Sequence, residues 1–329
     1  MKTTNSTPAP AAVRAEAPMR LGVSSCLLGN PVRFDGGHKH DRWITGELGR
    51  YVEFVPVCPE VEAGFGTPRE AMRLVGDPAA PRLVTIRSGR DLTETMRAWA
   101  ARRVEELAGE NLCGFVFKSR SPSSGMARVK VYPEKGGMPA HTGVGLFARA
   151  FMERFPLIPV EEEGRLSDPR LRENFIERLF VLRAWRDTLA RGADTAALID
   201  FHARHKLLAM AHSPALAKDM GRLVAQAASL PDAPDRYEAM LLAAMAKPAT
   251  VARHVNVLQH MAGYFRKTTT QDERQELAEV IEDYRRGLTP LIVPVTLINH
   301  HVRRHGVEYL ARQTYLRPHP LELKLRNYY

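Results

Sequence analysis

From Arg20 the chain sets short apolar runs between loops, and longer amphipathic stretches follow. RLGVSSC, EFVPVC, RLVTI and CGFVFKS each have the length and β-branched or aromatic content of a strand. Helical spacing spans residues 92–108 and 144–154. Strands parted by helical segments predict an α/β domain with a mostly parallel sheet, whose site opens beyond the carboxyl ends of the strands. Three loops should meet there: SCLLGNPVRFDGGHKH, CPEVEAGFGTPRE and SRSPSSGMARVKVY. A polar crossing, PVEEEGRLSDPR, leads to a helix capped by Ser167 or Asp168, opened by Pro169 and running to about Ala190. After residue 194 period-2 alternation disappears, and successive 3.6-period segments predict an all-α domain. The expected organisation is a flexible leader over 1–18, an α/β domain over 19–164, a helical linker over 165–194 and a helical domain over 195–329.

Composition adds three constraints. Forty-seven Lys and Arg against 37 Asp and Glu leave a net charge of +10, which favours phosphate-bearing partners. Three widely spaced cysteines in 329 residues do not form a disulfide framework and point to a reducing compartment, the cytoplasm. No apolar run approaches the ~20 residues of a membrane span. Nine of the twelve histidines fall after residue 190, so the two halves differ in chemistry as well as in periodicity.

Cys26 and Cys58 each end a predicted strand and precede a loop rich in glycine or proline. A cysteine so placed can serve as nucleophile or soft-metal ligand, or simply pack as a small hydrophobe. Around them stand Arg33, Asp35, His38 and Lys39 in the first loop, Glu60 and Arg69 in the second, and Lys118, Arg120 and Ser121 in the third. These groups suit an anionic or nucleobase ligand. No P-loop or dinucleotide fingerprint is present.

SSCLLGNPVRFDGG, VPVCPEVEAG followed by PRE, and GFVFKSRSPSSGM with RVKVY resemble the three loops of the thiouracil desulfidase family, over residues from about 20 to 160. FHARHKLLAMAHSP, NVLQHMAGYFRK and YRRGLTPLIVPVTLINHH resemble the helical domain fused behind it in desulfidases that act on 4-thiouridine in tRNA. The resemblance implies a [4Fe–4S] cluster held by three cysteines with one iron left open, and tRNA or a thiolated nucleoside or base as substrate. It implies Cys26 and Cys58 as cluster ligands, and Glu60 and Ser121 as groups that move protons or orient the base. Arg33, Asp35, Lys118 and Ser124 are the expected substrate-binding residues. Where the family carries its third cysteine, this chain has Ser124. Cys113 keeps the count at three, yet as the start of a strand running to Lys118 it begins about 16 Å from the carboxyl end, at ~3.3 Å per residue. Cys113, Ser124 and an outside group therefore all stay open as the third ligand. A protein of the same fold that has lost the cluster and binds RNA or a nucleotide without turnover is the alternative.

In the helical half, Arg253, Asn256, His260, Tyr264 and Lys267 fall on one stripe at 100° per residue, opposite Val251, Val255, Leu258, Ala262 and Phe265. Cations for phosphate, an amide for a base edge and rings for stacking make the polar stripe an RNA-binding candidate. His202, Arg204, His205, Lys206, Arg285 and Arg286 could extend it.

Overall fold

The computed structural model describes residues 18–192 and 194–328; the expected leader lies, except for Pro18, outside them. The strands are β1 (Met19–Ser24), β2 (Val52–Val57), β3 (Met72–Val75), β4 (Arg82–Thr85), β5 (Gly114–Phe117), β6 (Val129–Tyr132), β7 (Ala140–Gly143) and β8 (Val160–Glu162). Around them run α1 (Arg42–Gly46), α2 (Pro59–Glu62), α3 (Thr93–Ala108) and α4 (Leu146–Arg154). The chain then becomes helical: α5 (Pro169–Ala190), α6 (Thr195–His212), α7 (Pro214–Ala225), α8 (Ala233–Met245), α9 (Val251–Ala262), α10 (Gln271–Arg285), α11 (Ile292–His305) and α12 (Glu308–Ala311). An α/β region followed by a helical region is the fold class that the periodicity predicts.

The first sheet is wholly parallel, in the order β2-β1-β5-β8. One of its two inner strands, β1, needs Gly22, because a Cβ there would lie 2.2 Å from the Phe115 ring on β5. Phe115 in turn stacks on Phe117 at 4.3 Å and meets Phe147 and Phe151 of α4. Each fully buried phenylalanine contributes about 1.5–3 kcal/mol, so the ring cluster fixes α4 to the sheet.

RLVTI does not join this sheet. It is β4, and it pairs antiparallel with β3 in a second sheet ordered β4-β3-β6-β7. Gly76–Pro81 is too short a connection for the crossover of about a dozen residues that parallel pairing requires. In this sheet Leu74, Val129 and Val131 point into the core while Arg73, Lys130 and Tyr132 face outward.

The helix opened by Pro169 is capped by the Asp168 side chain, which accepts from the Arg170 and Leu171 amides. It is a shared wall rather than a linker. Phe175, Ile176 and Leu179 pack with β1 residues, whereas Val181 and Trp185 pack with α6, α8 and α9. The chain end returns to the same wall: Leu323 and Leu325 join the β1 cluster, and Arg326 is buried against α5. Arg326 Nε donates to Glu173 Oε1 at 2.9 Å, Nη2 to Glu177 Oε1 at 2.8 Å and Nη1 to the Tyr315 carbonyl at 2.6 Å. Tyr328 Oη donates to Glu173, and the His212 ring meets Glu177 at 3.0 Å. The adjacent His212 and Arg326 hold the Glu177 carboxyl far below the usual range in spite of its burial. No helix among the described residues is long and apolar enough to cross a membrane.

Removing one partner of a buried ion network leaves an uncompensated charge and costs about 3–5 kcal/mol. Arg326→Ala should therefore lower the urea-unfolding midpoint by a corresponding amount, and a loss below about 1 kcal/mol would deny the network its structural role.

Candidate active site

The three expected loops line one cleft of ≈ 350 Å³. Parallel pairing brings this about, because Ser24 of β1 lies beside Val57 of β2 and Val23 beside Val116 of β5. The chain thus leaves the sheet on the same edge three times. Cys26 sits in a 3-10 turn just beyond β1, and its carbonyl accepts from the Gly29 and Lys39 amides. Cys58 precedes α2, with Pro59 as the first helical residue and the Glu62 carboxylate on the Cys58 amide at 2.7 Å. Both thiols line the cleft, and burial pushes them up, Cys26 to about 11 and Cys58 to about 12. The neighbouring Glu60 adds to the rise in each, whereas Lys118 opposes it at Cys26.

Glu60 is the hub of the polar wall. Cys58 Sγ lies 3.6 Å from its Oε2, Arg69 Nη2 lies 3.7 Å from the same oxygen, and the Ser123 hydroxyl donates to Oε1. Since Ser123 spends its proton on Glu60, Ser121 Oγ, 2.9 Å away, is the donor to Ser123. Ser121 Oγ also accepts from the Ser124 amide at 3.1 Å, and the Gly125 amide closes the turn on the Ser121 carbonyl at 2.9 Å. A Cβ at residue 125 would lie 2.5 Å from Val129, so only glycine fits this turn. Ser124 is thereby buried in the cleft wall with the two cysteines. Arg69 also holds the loops together through its bond to the Val32 carbonyl at 2.9 Å.

Of the expected substrate-binding residues, Arg33, Lys118 and Ser124 line the cleft. Lys118 is anchored by Glu163 and by the Ser119 carbonyl and hydroxyl. Asp35 does not line it. Its carboxylate is exposed, accepts from the Gly37 amide at 3.1 Å and pairs with Arg33 at 3.5 Å, which makes it a turn residue. His38 stands outside the lining as well, with its Nδ1 taken by the His40 amide.

Cys113 as a metal ligand is corrected by its position. It lies before β5, at the end opposite the cleft, with its amide on the Arg20 carbonyl and its buried sulfur against Arg186 at 3.8 Å. The donors that this chain brings to the cleft are therefore two thiols and, for a third position, the Ser124 hydroxyl or an outside group. That set fits an iron–sulfur cluster with an oxygen at one position. Ser123 escaped the sequence reading because nothing in SPSSG tells which of its serines the turn points at Glu60.

In the helical half the stripe divides. Asn256 and His260 on α9, Tyr264 in the following 3-10 turn and Lys267 beyond it are exposed, and Tyr264 stacks on Tyr309 at 5.3 Å. Arg253 instead donates to the His212 carbonyl at 2.8 Å and caps the end of α6. His202 and His205 are buried, bonded to the Tyr237 hydroxyl and the Phe201 carbonyl, so they do not extend the surface. Glu173, Glu177 and His319 bring ligand atoms within 4.8 Å of one another, and Arg326 already sits there as counter-ion to the two carboxylates.

Residues 21–163 match a family described as 2-thiouracil desulfurase, and residues 206–320 match DUF1722, described as a protein of unknown function. The uncharacterized protein YbgA of Escherichia coli K12 is 34% identical over 161 residues, 48% of this chain and 95% of its own. The uncharacterized protein YbbK of Bacillus subtilis 168 is 33% identical over 108 residues, 31% of this chain and 71% of its own. A solved structure titled [4Fe-4S]-dependent thiouracil desulfidase TudS is 29% identical and covers 46% of this chain and 94% of that one, with a TM-score of 0.37. With three motif loops on one cleft and relatives matched over most of their length, the chain belongs to the 2-thiouracil desulfurase family through residues 21–163 and carries a DUF1722 domain behind it.

Proposed function

We propose that this protein removes sulfur from a thiolated uracil, 4-thiouridine in tRNA, using a [4Fe–4S] cluster. The observation that carries the reading is the meeting of Cys26, Cys58, Ser124 and Glu60 in one cleft of a chain from this family. At ≈ 350 Å³ the cleft is at the small end of ligand sites, which run from roughly 300 to 1,000 Å³, and it suits a single base.

The overall change is hydrolytic: the thiocarbonyl carbon gains the oxygen of water and the sulfur departs as hydrogen sulfide, with no net redox. Cys26 and Cys58 as thiolates and Ser124 through its oxygen would hold the cluster. Bound there, the cluster would supply a soft Lewis acid for the substrate's sulfur. Glu60 takes the proton of the attacking water, and the Ser121–Ser123 chain keeps its Oε1 engaged so that Oε2 faces the cysteine side. Arg33 and Lys118 in the wall donate to the base's carbonyl oxygen. The exposed Asn256, His260, Tyr264 and Lys267 offer the helical half as a tRNA contact. A metal-free thiolate nucleophile finds no support, since both cleft thiols are raised and His38 is not beside them.

One observation favours the alternative, RNA or nucleotide binding without turnover: the oxygen at Ser124 is a harder donor than a thiolate, so a cluster here is held less firmly. Iron and acid-labile sulfide in protein purified without oxygen decide between the two. About four of each per chain are expected, raised in retention by Ser124→Cys and retained in Cys113→Ala; metal absent even from Ser124→Cys would leave the binding reading. Glu60→Gln should keep the cluster absorption and lower release of sulfide from 4-thiouridine tRNA by at least about a hundredfold, the usual scale of a general base; full turnover would remove Glu60 from the chemistry. In metal-free protein at pH 8 both cleft thiols should be protonated, because their raised values lie well above that pH. Alkylation followed by mass spectrometry should therefore be slow at pH 8 and accelerate tenfold per pH unit toward about 11.

A further inference from the structure

A second, larger groove of ≈ 740 Å³ adjoins the cleft and shares Met72, Ser119, Arg120 and Pro122 with it as a common wall. Its floor is the outer face of the second sheet. Alternation along β3 and β6 sends Leu74, Val129 and Val131 into the core and leaves Arg73, Lys130 and Tyr132 outside. Leu74 is paired with Val131, so Arg73 and Lys130 lie on neighbouring strands of one face, and Arg73 rests over the Tyr132 ring at 5.1 Å. Arg120 and Arg128 stand at the two ends of the loop that carries Ser121–Gly125, with φ of 60° and 53°. Such angles are uncommon for residues other than glycine, asparagine or aspartate.

Arg73, Arg120, Arg128 and Lys130 meet no carboxylate at ion-pair distance among the described residues, and the Arg73 Nε is buried without a hydrogen-bond partner. The other charges of the groove are accounted for. Arg165 is paired with Glu161, Glu162 accepts from the Met126 amide at 3.0 Å, and His141 stands at the rim on β7. Elsewhere in this half most arginines have carboxylates beside them, as Arg82, Arg103 and Arg154 do. Four unpaired cations running from the cleft mouth across two strands describe a track, and a track fits successive phosphates better than it fits a single small anion.

We propose that this groove binds the RNA phosphodiester backbone flanking the base that enters the cleft. The inference rests on the reading of the cleft as a site for a thiolated uracil within tRNA, and adds that the polynucleotide is held on the α/β domain itself, next to the cleft. Arg120 belongs to both cavities and takes the phosphate nearest the base; Arg128, Lys130 and Arg73 take those further along. The Tyr132 ring beneath Arg73 offers a surface on which a neighbouring base can stack.

The test is binding of a short, unthiolated oligouridylate to the full chain, followed by fluorescence anisotropy across a salt series. It involves no turnover, so its failure is separate from a failure of the desulfidase reading, which shows in sulfide release. Arg128→Asn, chosen because asparagine tolerates positive φ, combined with Lys130→Glu should weaken binding at least about tenfold near 0.1 M salt. It should also flatten the slope of log K against log salt by about 1.4, the share of two single-strand phosphate contacts. Lys218→Glu with Arg222→Gln on α7 changes charge as much, by three units, and should leave both quantities near wild type. Equal weakening by the two pairs, or an unchanged slope in the groove variant, would overturn the proposal. Uridine monophosphate should compete far less well than the oligomer; equal competition would reduce the groove to a pocket for one phosphate and overturn the polynucleotide form.

Discussion

Everything at the active cleft depends on β1 being held in parallel register between β2 and β5. With Ser24 beside Val57, the chain leaves both strands at one level, and Cys58 follows one residue later and Cys26 two residues later in adjoining loops. The same register brings Lys118 and the Ser121–Gly125 turn from β5 to that edge. A one-residue slip would reverse every side chain of a strand and is opposed by the core, since Leu21, Val23 and Phe115 are fully buried. Gly22 enforces the pairing from the other direction by admitting the Phe115 ring where no side chain fits. The chemistry thus hangs on main-chain hydrogen bonds and ring packing several residues away from any reacting group.

Polar groups at the cleft follow from what those loops enclose. Burial pushes the two thiols up, so loading a cluster there would release protons and depend on pH. Glu60 satisfies its oxygens with Ser123, Arg69 and the Cys58 sulfur, which fixes the carboxylate in orientation before any substrate enters. Ser124 bears on the character of the site through its side-chain atom. Its amide completes the turn on Ser121, while the atom it would offer to a metal is oxygen.

The two halves of the chain are joined through α5 more than through any surface loop. One end of this helix packs on β1 and the other on the helical core, and Arg326 returns from the chain terminus to bind Glu173 and Glu177 on it. An ion network so fully enclosed contributes less to net stability than to fixing one arrangement, because desolvation offsets much of its attraction. Its effect here is to tie the chain terminus to the helix that both halves share.

Local pattern was enough for much of this. Apolar runs of strand length, the Asp168–Pro169 helix start and the change of period after residue 194 are properties of neighbouring residues, and the elements formed where those signals stood. The three glycine- and proline-bearing loops also carried the family's motifs, so the cleft residues Cys26, Cys58, Glu60, Arg33 and Lys118 were readable before any fold was known. Tertiary structure decided what depends on which element lies beside which. It sent RLVTI to a second sheet, left Cys113 at the wrong end of β5, turned Asp35 into a turn residue and gave Arg253 to the end of α6. It buried His202 and His205, pointed Ser123 at Glu60 and lined up four cations from separate segments beside the cleft. Periodicity reports the direction of a side chain relative to its own helix or strand. Only packing determines whether another part of the chain covers that direction, and it is coverage that separates a ligand or a binding face from a core residue.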